Sequence, residues 1–446
     1  MMQNKKSTLA TAILAAFAIF SPYTLFSQLP GADSLLSPIT LPDAIEYALK
    51  RQPVIQQALL DEQITDSQIR SKLADWYPQV RFNYNLQHNF IVQTAIIGGN
   101  AVKLGVDNTS NGQFTASQTI FNRDVLLAKR SKQDVLLQAQ QATSSYKIDL
   151  ASDVSKAFYD ILVTMQQIKV AESNITRIER SLNDALNQYQ AGLVDKIDYK
   201  RATIALNNTK ASKKSNEDLL VAKVDRLKAL MNYPENAPLN ISYDSLQMER
   251  EALLDTMVVP DFRSRIEYQQ LETQRKLLTA SLDYNRWSFL PSVTANAAYN
   301  LNFQNNQLAE LYNRNFPNAY VGLTLGVPIY EGGKRKANIA AAELELKRNE
   351  LDYSNLKIAV DAAYSQALAV YKSNLTNYLT LRENVELAKE VYDVIQLQYR
   401  SGIKTYLEVI TAETDLRTAQ INYYNALYQL LASKIDVQKT LGQIKY

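Results

Sequence analysis

Between Leu150 and Tyr189 apolar side chains recur every seven residues in two interleaved rows. One is Val154, Ile161, Ile168, Ile175, Leu182 and Tyr189, and the other is Leu150, Ala157, Thr164, Ala171, Ile178 and Ala185. Spacings that alternate between three and four put both rows on one helix face, and a sustained heptad predicts left-handed supercoiling. The rows return 210 residues later as Tyr364, Tyr371, Tyr378, Val385, Tyr392 and Tyr399, interleaved with Val360, Ala367, Asn374, Leu381, Ala388 and Ile395. The offset is a whole number of heptads, so the second copy keeps the register. Neither glycine nor proline occurs in Asn122–Ala191, Leu193–Tyr233, Lys334–Ser401 or Ile403–Leu441. These four stretches are predicted helices, the first and third roughly 105 Å long at about 1.5 Å per residue. "QYQAGLVD" at 188–195 and "QYRSGIKT" at 398–405 separate a long helix from a shorter one in each half. Each is predicted to be a hairpin tip. The seam tyrosines are expected to pack helices and leave their hydroxyls wet.

A period of two precedes each long helix. Val80, Phe82, Tyr84 and Leu86 alternate with Arg81, Asn83, Asn85 and Gln87, and Gln113–Phe121 is a weaker partner across a loop carrying Gly98, Gly99, Gly105 and Gly112. In the second half Val293–Phe303 alternates with Thr294–Gln304, and Val321–Ile329 follows as the partner. Each half thus supplies one β-hairpin with an apolar and a polar face. Aromatics flank the strands at Trp76, Tyr77, Phe121, Trp287, Phe289, Tyr320 and Tyr330. Strands of this length fit a transmembrane barrel around a wet lumen, the alternative being a solvent-exposed sheet. Four strands cannot close a membrane barrel, so other copies of the chain must complete it.

Composition narrows the compartment. The chain of 446 residues carries a formal charge of only +3, which gives no bulk attraction to nucleic acid. Lys5 and Lys6, then a run from Leu9 to Phe20 that is apolar except for Thr11, read as a secretory signal peptide within 1–27. The absence of cysteine excludes disulfides, thiolate metal sites and a lipidated N-terminal cysteine. The expected organisation is a first repeat over 28–234, a linker over 235–262 and a second repeat over 263–446.

"LPDAIEYALKRQPVIQQA", the strand-entry prolines of "WYPQV" and "FLPSV", the junction "VGLTLGVPIYEGGKRKANIAAAELEL" and the terminal "QYRSGIKTYLEVITAETDLRTAQINYYNALYQLLASKIDVQKTLG" occur in order. Together they resemble the TolC-like outer-membrane efflux proteins over nearly the whole mature chain. The resemblance implies an α+β membrane protein: a homotrimer sharing a twelve-stranded barrel in outer-membrane lipid of a Gram-negative bacterium, with a helical coiled-coil tunnel across the periplasm. It further implies a passive exit duct for efflux or type I secretion. The hairpin tips, here Gly192, Leu193, Gly402 and Ile403, would dock a periplasmic adaptor that links the duct to an inner-membrane transporter of RND or ABC type.

No enzyme constellation is present. His88 is the single histidine, which leaves no histidine triad or multi-histidine metal site. "YEGGKRK" fails the P-loop pattern, because Pro328 stands where the first glycine is needed and Arg335 follows Lys334. Gly332 and Gly333 are expected to turn the chain from strand to helix. No cofactor, metal or nucleic-acid partner is expected. The informative charges are at the tips, where Asp198 and Glu408 each follow a tyrosine by nine residues. A trimer would bring six such carboxylates to one mouth, unless both face solvent on helix surfaces. By resemblance Glu408 is a ring acid, Asp198 a partner for Tyr399, and Lys404 a basic link to the other hairpin. Thr411 stands where relatives can carry a second ring acid. The competing reading is a trimeric coiled-coil surface protein that is anchored by its barrel and does not conduct.

Overall fold

The computed structural model describes residues 38–192, 194–242, 245–255 and 261–446. The expected signal segment 1–27 and Leu193 lie outside the described residues. Helices α1 (Leu41–Arg51) and α2 (Pro53–Ala74) lead into strand β1 (Gln79–His88), the short hairpin β2 (Thr94–Ile97) and β3 (Asn100–Lys103), and strand β4 (Asn108–Phe121). Helices α3 (Arg123–Gln190), α4 (Lys196–Met231), α5 (Ser245–Glu251) and α6 (Ile266–Arg286) follow. Strands β5 (Ser292–Asn305) and β6 (Asn318–Gly326) then precede α7 (Lys334–Arg400) and α8 (Tyr406–Thr440). The 68 residues of α3 and 67 of α7 make rods of about 100 Å.

Strands β1, β4, β5 and β6 form one antiparallel sheet in that order, so β1 and β6 are its two edges within the chain. Register explains the two faces. Phe82 pairs with Phe114, which pairs with Tyr299, and Val80, Ala116, Ala297 and Val321 line up on the same side. That face is apolar and open, with Val321 86% and Leu323 74% exposed. The opposite face carries an amide ladder: Asn111 donates to Asn302, Asn300 to Asn318 Oδ1 at 2.6 Å, and Asn296 to Thr324 Oγ1 at 3.1 Å. Tyr320 pairs with Ala298 and therefore joins the polar face rather than the apolar one. At the helix ends of the strands Lys129 sits 5.6 Å from the Trp76 ring centre and Arg130 5.4 Å from that of Trp287. These cation–π contacts put charge and aromatic together at one level of the fold.

Three strand expectations are corrected. β4 begins at Asn108 rather than Gln113, because Asn108–Gly112 pair with both neighbouring strands although Thr109 is their one β-branched residue. Gly112 belongs to that strand, where an added Cβ would meet the Phe82 ring at 3.6 Å. β6 spans Asn318–Gly326 rather than 321–329, since Pro328 has no N–H to donate. The loop after β1 holds the β2–β3 hairpin, turning on Gly98 and Gly99 with φ of 62° and 88°. Two consecutive residues at positive φ are the two-residue turn whose twist matches paired strands. Gly332 and Gly333, at φ 58° and 87°, do turn the chain into α7.

The heptad rows face inward unevenly. Leu150, Ala157, Thr164, Ala171, Ile178 and Ala185 are all buried, but the other row grades from Val154 and Ile161, wholly buried, to Tyr189, 41% exposed. The reason lies at the middle of α3, where α1, α5 and the end of α8 wrap it and form the main core with Ile39, Leu227, Met248, Leu430 and Leu431. Here the expectation of wet tyrosines is overturned. Tyr371 is fully buried, accepts from Leu254 N at 2.8 Å and donates to Ala252 O at 3.1 Å. Tyr423 donates to Glu249 Oε1 at 2.6 Å and Tyr159 to Glu251 Oε2 at 2.8 Å. Buried hydroxyls need partners, and the 249–254 segment supplies them.

Candidate functional site at the hairpin tips

The two tips are built alike from the backbone upward. Ala191 N donates to Asn187 O at 3.0 Å and Gly192 N to Tyr189 O at 2.9 Å; Ser401 N donates to Leu397 O at 3.1 Å and Gly402 N to Tyr399 O at 2.9 Å. Gly192 and Gly402 adopt φ of 73° and 74°, the left-handed conformation that ends a helix. Asp195 caps α4 by accepting from Ile197 N at 3.1 Å. Thr405 caps α8 in a different way: its N–H donates to Glu408 Oε2 at 2.9 Å and its hydroxyl to the same oxygen at 3.0 Å. Ile403 is 71% exposed, so the second tip presents an apolar side chain to solvent.

Electrostatics separate the two acids. Lys404 donates to Glu408 Oε1 at 2.6 Å, and this bond, with the Thr405 contacts, holds the Glu408 carboxyl down to about 2. Asp198 is half-buried and its carboxyl is raised, chiefly by burial and further by Asp195, with Arg201 opposing. Within the protomer Lys404 therefore pairs with Glu408 of its own hairpin rather than reaching the other one. Tyr399 does cross between hairpins, but its hydroxyl donates to Gln188 Oε1 at 2.8 Å rather than to Asp198. Burial raises the Tyr399 hydroxyl, and Asp198 is the leading charge that raises it further. Gln188 is not legible as this partner in the sequence, because a periodic row does not reveal which side chain of a neighbouring helix a tyrosine will meet.

A second polar group lies behind the tips. Glu413, Tyr392 and Tyr406 are buried, and Arg177 lies 5.6 Å from the Tyr392 ring centre. The signal existed, since Tyr406, Val409, Glu413, Leu416, Gln420 and Tyr423 recur at spacings of three and four, which puts an acid on the heptad seam of α8. Among the described residues no cluster of acids, histidines and cysteines could hold a metal ion, and no helix is long and apolar enough to cross a membrane.

A four-stranded antiparallel sheet with an open apolar face, carried on two antiparallel helical hairpins about 100 Å long, defines an outer-membrane channel fold. The chain belongs to the outer membrane efflux protein family, whose model matches residues 44–233 and 264–443. It is 21% identical to the outer membrane protein TolC of Escherichia coli over 446 aligned positions, covering 95% of this chain and 86% of that protein. It is 22% identical to the probable efflux pump outer membrane protein TtgC of Pseudomonas putida over 69% of this chain, an alignment that spans only 63% of the relative's length. The solved structure of CusC superposes with a TM-score of 0.72 at 18% identity, covering 91% of this chain and 92% of that one. The open MtrE channel of Neisseria gonorrhoeae gives 0.68 at 19% identity, covering 91% and 89%. The protein is thus a member of a family of outer-membrane efflux proteins.

Proposed function

We propose that three copies of this chain form the passive exit duct of a trans-envelope export complex. The observation that carries this is the sheet with two free edges: an open sheet edge leaves backbone N–H and C=O groups unpaired, which hydrocarbon does not tolerate. Pairing β6 of one copy with β1 of the next closes twelve strands around the Asn-lined face, and the 28–234 and 263–446 halves then act as two repeats per protomer around the axis. The α3/α4 and α7/α8 hairpins extend the duct as a tunnel of twelve helices. Gly192, Leu193, Gly402 and Ile403 mark where a periplasmic adaptor docks, and an inner-membrane transporter of RND or ABC type supplies the energy. Asp198, Tyr399, Lys404 and Glu408 surround the periplasmic mouth. The names of TtgC and of its relatives as efflux-pump components support export as the task.

Native mass spectrometry in detergent should give a trimer, and the trimer should conduct ions across planar bilayers. A stable monomer would defeat the barrel closure. A trimer that does not conduct would favour the anchored coiled-coil alternative.

A further inference from the structure

Glu413 sits where the seam of α8 otherwise carries apolar and aromatic side chains, and it is only 5% exposed. Its neighbours Val409, Ala412 and Leu416 pack with Ala185 of α3, Ala202 of α4 and Tyr392 of α7, so the acid lies at the junction of both hairpins. Among the described residues its Oε1 has no hydrogen-bond partner, and neither do the hydroxyls of Tyr392 and Tyr406 or Nε of Arg177. Two cations face it. Arg177 of α3 donates to Asn174, and Arg417 of α8 donates to Thr209 Oγ1 at 3.0 Å, rather than to the acid. The side of α4 that faces this junction carries Ala202, Leu206 and Thr209, all buried, and Tyr199, the titratable side chain of that helix packed against the same cluster. Further out, Asp198 and Tyr399 act on Tyr406, and Asp393 and Arg400 act on Tyr392.

We infer that Glu413 is a proton-operated joint between the two helical hairpins of a protomer: when protonated it lets α8 pack against α3, α4 and α7 near the tips, and when ionised it favours their separation. An ionised carboxylate that lacks a hydrogen bond inside an apolar contact is strongly disfavoured, whereas the neutral acid is tolerated. Burial accordingly raises this carboxyl to about 7 against the opposing pull of Arg177 and Arg417. Separation returns it to water and to the ordinary glutamate value of roughly 4.3. Because the packed state holds the proton more tightly, its advantage is complete below the ordinary value and lost as pH rises through about 7. The constant for local opening should then grow on the order of tenfold between about pH 6 and pH 8. Glu408 does not supply this response, since it is held down to about 2 and stays charged throughout. His88, the one histidine, lies on β1, away from the tips.

The inference rests on packing within one protomer and not on the duct reading, so a failure to conduct would leave it standing. Hydrogen exchange of the full-length protein in detergent, corrected for the intrinsic rate at each pH, tests it in peptides covering 406–420. Wild type should show the tenfold rise, Glu413→Gln and Glu413→Met should be flat, and Glu408→Gln should keep the rise. A flat wild-type profile overturns the inference, as does a rise that persists in the Glu413 variants. If neither Glu413 variant folds, the wild-type and Glu408→Gln profiles decide: a rise in both supports it, and a loss in either overturns it.

Discussion

Ile161→Asp is expected to eliminate assembled protein from the outer membrane. Ile161 is wholly buried within the main core, in a row of α3 where Val154, Phe158 and Leu162 are buried beside it. Losing the isoleucine gives up about 1.5–3 kcal/mol of burial. Placing an unpaired carboxylate in the same space costs several kcal/mol more, or forces it to take up a proton. Either outcome consumes much of a domain's net stability of roughly 5–15 kcal/mol. Tyr189→Asp, at the exposed far end of the same row, should leave assembly near wild type. Native gels of membrane extracts read both, and normal trimer yield from Ile161→Asp would show that the middle of α3 is not the core.

That contrast also marks what the sequence could tell. Helix existence and ends were legible, since α3 spans Arg123–Gln190 within the glycine- and proline-free stretch Asn122–Ala191. The heptad gave the buried face but not its depth, because the wrapping by α1 and α5 at mid-helix is a long-range event with no local periodicity. Asn108–Gly112 escaped notice as strand because tertiary pairing on both sides outweighs its poor intrinsic preference. Gly98-Gly99 carries a hairpin signal inside what composition alone marks as loop. At the tips the residue types were legible and the partners were not. Lys404 sits one helical turn before Glu408, and at that spacing a local ion pair competes directly with any bridge to another hairpin. Gln188, the acceptor of the Tyr399 hydroxyl, is 211 positions away in the chain.

The Lys404–Glu408 pair makes the expected behaviour of the mouth asymmetric. If three copies place these groups around one axis, each pair is close to neutral, and its two members set opposite potentials at a narrow opening. Glu408→Ala removes three negative charges and leaves three lysines, so cation preference should fall and turn toward anions. Lys404→Ala leaves three acids unopposed, so cation preference and block by multivalent cations should increase. The two substitutions thus move the reversal potential under a salt gradient in opposite directions. Acidification separates them further. In wild type the Glu408 carboxyl, held down to about 2 by Lys404 and Thr405, stays charged over most of the acidic range. Its contribution is present above the ordinary glutamate value of roughly 4.3 and is lost only as pH falls through that depressed value. In Lys404→Ala the largest cause of the depression is gone, so selectivity should be lost at a higher pH than in wild type. Tyr399→Phe removes the bond to Gln188 without adding bulk, and should raise single-channel conductance by loosening one hairpin from the other while leaving the reversal potential unchanged. Were these groups only solvated charges on helix surfaces, all three variants would match wild type in conductance, selectivity and block. That outcome would withdraw the mouth assignments and leave the barrel and its long hairpins untouched.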